Sequence, residues 1–390
     1  MTPRRRTPQQ TWDAFAVAAP GLEGVVALEL QSLGIQGARV IDGGVEFAAD
    51  RTTLYRANLH LRVASRVIVR LASFRAISFA ELEQRAKRVP WERVMQPGAT
   101  FHLRVTCRKS RLYHSGGVAQ RLARDIQDRM GGVLASGAQS GDAPDDDDGS
   151  AQLLVVRMDH DRCTISADSS GALLHQRGYR TAVTAAPMRE TLAAALVLAS
   201  GWTPDLPLLD PFCGSGTIPI EAAMIAARIA PGRSRSFRFT EWPGHDDNAW
   251  QRILSRARDN EITTPEGLAI IASDQGASAI RATTANAERA GVAGMIQVER
   301  KPLSMLNPPP GRPGWIITNP PYGVRLGAEL DLRKLYASLR EILFTRFTGW
   351  RVGALLGPSR AAAVLGLPDE RLRTTNGGIA VRFLAGEVAG

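Results

Sequence analysis

Two short stretches fix what this chain can become. Leu208-Leu-Asp-Pro-Phe-Cys-Gly-Ser-Gly-Thr217 runs from an apolar pair through a glycine turn into the alanine-rich Thr217-Ile-Pro-Ile-Glu-Ala-Ala-Met224. That order reads as strand, tight loop, helix. Gly214 and Gly216 open backbone torsions closed to other residues, so a ligand can lie against bare peptide at the helix N-terminus. In a Rossmann-type sheet this crevice takes a nucleoside-bearing cofactor. The glycine spacing is not the dinucleotide fingerprint, and no Gly-Lys-Ser/Thr follows to cradle phosphates. Asp210, at the strand end, suits instead a cationic ligand group such as an amino-acid ammonium.

The second stretch, Trp315-Ile-Ile-Thr-Asn-Pro-Pro-Tyr-Gly-Val-Arg-Leu-Gly327, has the same shape. A β-rich run is broken by two prolines, which disfavour helix before them and remove ladder donors. The resulting rigid loop presents an amide and an aromatic ring at the carboxyl edge of the sheet. Asn319 Oδ1 and the Pro320 carbonyl can accept the two hydrogens of an exocyclic amine, while Tyr322 stacks on a base drawn out of its helix.

Asp-Pro-Phe-Cys-Gly-Ser-Gly-Thr and Asn-Pro-Pro-Tyr-Gly-x-Arg-Leu-Gly together resemble motifs I and IV of the S-adenosylmethionine-dependent amino-methyltransferases. Leu174-His-Gln-Arg-Gly-Tyr-Arg180, Ala186-Pro-Met-Arg-Glu-Thr-Leu-Ala-Ala-Ala195 and Ile229-Ala-Pro-Gly232 are similar to the branch with an N-terminal THUMP domain, which methylates the 2-amino group of guanine in rRNA or tRNA. The resemblance covers most of the chain. It implies S-adenosyl-L-methionine as cofactor, held by Asp210, Pro211, Gly214, Gly216, Thr217, Asp274 and Asn319, with Arg177, Tyr179 and Thr191 lining the pocket. Catalysis falls to Asn319, Pro320, Pro321 and Tyr322. Asp274, ending the next strand, is placed for the ribose hydroxyls; a helix cap is its structural alternative. For Arg177, Tyr179 and Arg180 the alternative is a hinge. Gln275-Gly276 stands where the family has a second acidic or small residue. Ile296-Gln-Val-Glu-Arg-Lys-Pro302 supplies no Asp in register for the adenine amine.

A chain of 390 residues exceeds one typical core. The expected architecture is α/β: a C-terminal Rossmann-like methyltransferase domain with a mostly parallel seven-stranded sheet, behind an α+β module of ferredoxin-like and THUMP parts. The expected boundaries are 1–75 for the ferredoxin-like domain, 76–170 for THUMP, 171–187 for a linker and 188–390 for the methyltransferase. No apolar run approaches a membrane span, and Met1-Thr-Pro-Arg-Arg-Arg lacks an apolar signal core behind it, so the expected location is the cytoplasm. Cys107, Cys163 and Cys213 are too scattered for a disulfide framework or zinc site.

Essentially all of the +10 net charge falls within the first 130 residues. A basic module joined to a near-neutral catalytic half suits an enzyme acting on a polyanion. The expected partner is RNA, with large-subunit rRNA favoured over tRNA by the family resemblance, and neither metal nor membrane is expected. Residues 1–10 read as a disordered or phosphate-contacting arm. A β-α-β-β-α-β order through Phe74 fits the ferredoxin-like part. The pattern next predicts a helix over Phe79–Val89, an alternating strand from Thr100, a basic turn and a helix over Val118–Met130. This part is similar to THUMP, and Arg104, Arg108, Lys109, Arg111 and Arg121 are its candidate phosphate contacts. Gly137–Ser150, with its Asp run, reads as a solvated loop without a calcium-ligand pattern. A hairpin over Leu153–Asp168 completes the module. Pro231–Thr264, rich in Arg and Trp, resembles a family insertion placed to flank RNA.

The expected reaction is direct transfer of the sulfonium methyl to the guanine 2-amino nitrogen, by positioning rather than by a histidine base or cysteine nucleophile. The Asn-Pro-Pro-Tyr loop alone also permits an adenine-amine methyltransferase acting on DNA. A fold retained for RNA binding without catalysis is the rival from outside enzymology.

Overall fold

The computed structural model describes residues 11–135, 139–140, 150–181, 188–322 and 329–389. The N-terminal arm, most of the Asp-containing segment, part of the linker and the Gly-Val-Arg-Leu-Gly end of the second motif lie outside these. The chain forms two compact units that exchange segments. One comprises residues up to Val17, Ala27–Leu174 and Arg235–Ser255; the other comprises Ala18–Val26, His175–Ser234 and Arg256–Gly390.

The first unit opens with β1 (Trp12–Val17), α1 (Glu23–Ser32), β2 (Arg39–Ile41), β3 (Gly44–Ala49), α2 (Arg51–His60) and β4 (Arg66–Arg75), the β-α-β-β-α-β order read from the sequence. There follow α3 (Phe79–Ala86), β5 (Thr100–Arg108), α4 (Ser115–Met130), the two-residue strands β6 (Val133–Leu134) and β7 (Gln139–Ser140), β8 (Gln152–Asp159) and β9 (Arg162–Asp168). All pair into one sheet in the order β2-β3-β1-β4-β9-β8-β5-β6, with β7 also on β5. Helix α4 begins three residues before the apolar periodicity does, because the His114 side chain accepts the Gly117 amide at 2.8 Å. Histidine is outside the usual capping set, so the sequence does not advertise this start. Its inward face is Val118, Leu122, Ile126 and Met130, at helical spacing.

Arg235–Ser255 completes this unit. Phe239 stacks on Tyr55 at 4.4 Å between centroids, Trp250 packs edge-on to both, and the Trp242 indole donates to Gln152 Oε1 at 2.7 Å. Phe237, Phe239, Trp242 and Trp250 are all buried. The aromatics of the insertion are therefore core residues rather than platforms for stacking bases.

The second unit contains α5 (Glu190–Ser200), β10 (Leu208–Asp210), α6 (Thr217–Ala226), β11 (Ile270–Asp274), α8 (Ala277–Ala290), β12 (Ile296–Arg300), β13 (Trp315–Thr318), α9 (Glu329–Arg346), β14 (Arg351–Leu356), β15 (Asp369–Asn376) and β16 (Ile379–Glu387); α7 (Asp247–Asp259) starts in the inserted segment. The sheet is seven-stranded, β12-β11-β10-β13-β14-β16-β15, parallel except for β16, which runs antiparallel to both neighbours. β10 is central and fully buried, which explains its unbroken apolar start. The strand order reverses beside β10, so the carboxyl ends of β10, β11 and β13 border one crevice. Strand β15 was not anticipated: its Asp369-Glu-Arg-Leu-Arg sequence reads as a charged surface, and it occupies the sheet edge, where charge discourages further pairing.

Candidate active site

The site is built from three strand ends. Asp210 closes β10 and is 1% exposed; its Oδ1 accepts the Thr318 hydroxyl at 2.7 Å and the Phe212 amide at 3.2 Å. Burial pushes its carboxyl up to about 7, against the pull of these two donors and with a further push from Asp274. Asp274 closes β11 and is half-buried; Oδ2 accepts the Gly214 amide at 3.1 Å and Oδ1 the Gly276 amide at 2.8 Å. It thus joins the turn after β10 to the turn after β11. Helix α8 starts at Gly276 without a side-chain cap, so Asp274 does not serve as its N-cap. Each carboxylate oxygen can accept more than one hydrogen bond, which leaves Asp274 capacity for hydroxyl donors.

Gly214 and Gly216 have φ of +55° and +82°. At Gly216 a Cβ would also come within 2.7 Å of Thr283 Cγ2, so helix α8 packs where any side chain would stand. Thr283 Oγ1 donates to the Gly214 carbonyl at 3.0 Å, and Asn286 Nδ2 to the Ser215 carbonyl at 3.0 Å. These two residues, one turn apart on α8, hold the loop and were not singled out in the sequence. Their only signal there is a pair of polar residues at helical spacing. Pro211 and Thr217, at the two ends of the turn, are buried.

Arg177 and Tyr179 both reach Glu221 in the middle of α6: Arg177 Nε lies 3.3 Å and the Tyr179 hydroxyl 3.0 Å from Oε1, with all three side chains buried. Arg289 donates to the Tyr179 carbonyl at 3.3 Å and to Asn286 Oδ1 at 2.9 Å, linking this network to the loop. Arg180 pairs with Glu190 at 3.1 Å, and burial lifts the Glu190 carboxyl to about 7. Thr191 is buried in the first turn of α5.

After β13, Asn319 is half-buried, and its Oδ1 is shielded from solvent with no hydrogen-bond partner among the described residues. Pro320 is buried and Pro321 exposed. The Tyr336 hydroxyl donates to the Pro321 carbonyl at 2.8 Å. Tyr322 is half-buried; its oxygen accepts from Asn376 Nδ2 at 2.6 Å, and burial raises its phenol above the usual range. Its ring lies so close to Gly357 that a Cβ there would meet Cδ2 at 2.8 Å. Asn376, at the end of the unanticipated β15, is a second residue that sequence reading missed.

The candidate phosphate contacts lie in the other unit. Arg104 is half-buried on β5, while Arg108, Lys109 and Arg111 are exposed. Lys109 has φ of +46°, and the Arg111 amide donates to Asp161 Oδ1 at 2.8 Å, so the basic turn is a fixed structure. Arg121 is exposed, pairs with Glu83 and lies over the Phe79 ring at 4.4 Å. No cluster of three metal-ligating side chains occurs among the described residues, and no described helix is long and apolar enough to cross a membrane.

Residues 177–372 match the model of the RMKL-like methyltransferase domain, after matches of 13–68 to the RlmL ferredoxin-like domain and of 76–168 to the THUMP domain. The chain belongs to the RMKL-like methyltransferase family. It is 39% identical over 388 residues to the "Ribosomal RNA large subunit methyltransferase K/L" of Allochromatium vinosum, covering 96% of this chain but 51% of that one. It therefore spans about half the length of such curated relatives. A Synechocystis protein described as "Putative RNA methyltransferase slr0064" is 34% identical, with 96% of both chains covered. The crystal structure of SMU.472, "a putative methyltransferase complexed with SAH", superposes with a TM-score of 0.85 at 29% identity, covering 98% of this chain and 99% of that one.

Proposed function

We propose that this chain transfers a methyl group from S-adenosyl-L-methionine to the 2-amino group of a guanine in structured RNA, with large-subunit rRNA as the substrate. The observation that carries the reading is Asn319 Oδ1, a buried acceptor without a partner among the described residues, beside the crevice between β10 and β13. A buried acceptor left unsatisfied is costly. An exocyclic amine entering the site would satisfy it.

The crevice fits the cofactor. Asp274 would take ribose hydroxyls, the bare peptide at Gly214–Gly216 would lie along the amino-acid part, and Asp210 supplies buried negative charge for a cationic ligand. When bound, the cofactor supplies an electrophilic methyl group on sulfonium sulfur. The protein's own residues do the positioning. Asn319 Oδ1 and the Pro320 carbonyl accept the two amine hydrogens, turning the nitrogen lone pair out of conjugation and toward the methyl group. Tyr322, its ring fixed by Gly357 and its oxygen by Asn376, holds the base by stacking. The nitrogen sheds its extra proton to solvent after transfer. The names of the large-subunit rRNA relatives and the match to THUMP favour rRNA, with the basic turn of the N-terminal unit contacting the phosphates.

The test is tritiated methyl transfer to total RNA from a strain lacking the gene, with size fractionation and nucleoside digestion. Label in 2-methylguanosine of large rRNA is the expected result. Label in the tRNA fraction would change the substrate, labelled methyladenine in a parallel reaction on DNA would change the class, and no label with no cofactor binding would overturn catalysis altogether.

A further inference from the structure

Beyond the acceptor loop, the carboxyl edge of the second sheet carries a basic cavity that the proposed reaction has not used. It encloses about 390 Å³ and is lined by Ser359, Arg360, Gly366, Leu367, Arg382 and Leu384, among others. We propose that this cavity binds a backbone phosphodiester of the RNA flanking the nucleotide presented to Asn319 and Tyr322. The proposal rests on the RNA reading above and adds a contact outside the THUMP match.

Its position comes from strand register. Thr318, just before the acceptor loop, pairs with Ala354 on β14, and Leu356, which ends β14, pairs with Arg382 on β16. The acceptor loop and the Arg382 end of the cavity therefore share one sheet edge, two strands apart, and Leu384, opposite Ala354, carries the cavity inward along the sheet. Gly357, on which the Tyr322 ring rests, is two residues before Ser359 at the cavity wall. The residue under the Tyr322 ring and the cavity wall are thus joined by two steps of chain.

Its chemistry comes from charge. Arg360 is exposed and forms no ion pair among the described residues. Arg382 lies 3.7 Å from Glu370 Oε2, but that carboxylate is already gripped by Arg373 through two contacts of 2.9 and 3.1 Å. Hydrogen bonding from Arg373 is the main reason the Glu370 carboxyl titrates below its usual range. A third guanidinium, Arg340, stands beside Gly366, where a Cβ would collide with Nη1; it donates to the Val364 carbonyl at 3.2 Å and lies 4.6 Å from the Phe344 ring centre. No carboxylate is among the lining residues. Guanidinium forks match the paired oxygens of a phosphodiester, and an exposed cavity spares them the desolvation that burial would bring.

The test is equilibrium binding of the full chain to deproteinised large-subunit rRNA across a salt series, with R360Q/R382Q and the charge-keeping R360K/R382K. Each phosphate contact contributes about 0.7–0.9 to the slope of log affinity against log salt. The glutamine variant is expected to bind several-fold more weakly with a slope shallower by about 1.5, and the lysine variant to recover most of that slope. Unchanged calorimetric affinity for S-adenosylmethionine checks that both variants are folded. An unaltered slope in the glutamine variant overturns the proposal, and so does a wild-type chain that does not bind this RNA. Arginine-dependent binding without methyl transfer keeps the cavity and removes the proposed reaction.

Discussion

Thr318 donates its hydroxyl to Asp210 Oδ1 across 2.7 Å, so the strand that ends in the glycine turn and the strand that ends in the acceptor loop are tied together at their last residues. The two motifs lie 108 positions apart in sequence, yet their strands pair side by side in the sheet, and this buried hydrogen bond closes that pairing at its carboxyl end. That carboxyl is held up to about 7 chiefly by burial, and its charge state therefore matters to stability and, on the proposed function, to cofactor binding.

A carboxyl whose folded value is raised above the unfolded one weakens the folded state once it must ionise, so Asp210 subtracts stability progressively as pH rises from about 4 to about 7. Asp210→Asn keeps an acceptor for Thr318 and removes that charge. Thermal unfolding at pH 8 should show the variant at least as stable as wild type, while its affinity for S-adenosylmethionine falls. Wild-type affinity should itself decline as pH is lowered through 7, a trend that calorimetry at pH 6 and 8 should find flattened in the variant.

Removing the Asn319 acceptor tests the chemistry most directly. Asn319→Ala should lower turnover by roughly 100-fold or more, the scale of losing one preorganised polar group, with cofactor affinity nearly unchanged. Wild-type turnover in this variant would defeat the amine-positioning role.

The Arg177–Glu221 pair is fully enclosed, with the Tyr179 hydroxyl on the same oxygen. Arg177→Ala should destabilise the second unit by about 3–5 kcal/mol, because a buried carboxylate loses its counter-charge. In urea unfolding the Arg177→Ala/Glu221→Ala double change should cost less than the sum of the singles, since the partners are coupled. Additivity would mean that the pair is not energetically linked.

Tyr322 separates ring from hydroxyl. Tyr322→Phe gives up one hydrogen bond with Asn376 and should cost about 1 kcal/mol of stability with modest loss of turnover. Tyr322→Ala removes the stacking surface, worth about 1–3 kcal/mol per base, and should raise KM for RNA as well. Equal effects of the two changes would show that the hydroxyl, not the ring, is what the site requires.

Much of this was legible in the chain because local physics and global fold agree there. The glycine turn, the strand before it and the proline-broken loop each carry backbone constraints that survive in any context, and the periodicities of β5 and α4 follow burial closely. What escaped was set by tertiary contact. Thr283, Asn286 and Glu221 are ordinary helix residues until folding brings them to the loop. Asn376 matters only because an edge strand of charged residues delivers it to Tyr322. Reading Arg177 and Tyr179 from their motif suggests a pocket lining, whereas their atoms show a buried network behind the loop. The insertion's tryptophans resemble an RNA-facing surface in composition, but their burial makes them interior packing.

The exchange of segments bears on how the protein can be made. The first unit's interior lacks Phe237, Phe239, Trp242 and Trp250 until residue 255 has been synthesised, although its last sheet strand ends at Asp168. On the ribosome, the nascent amino-terminal half must wait, incompletely packed, while the glycine turn and helix α6 emerge ahead of the piece that seals it. Newly made chains therefore pass through an interval in which apolar surface around Tyr55 is open to chaperones, and no single cut in the gene releases either half with its core intact.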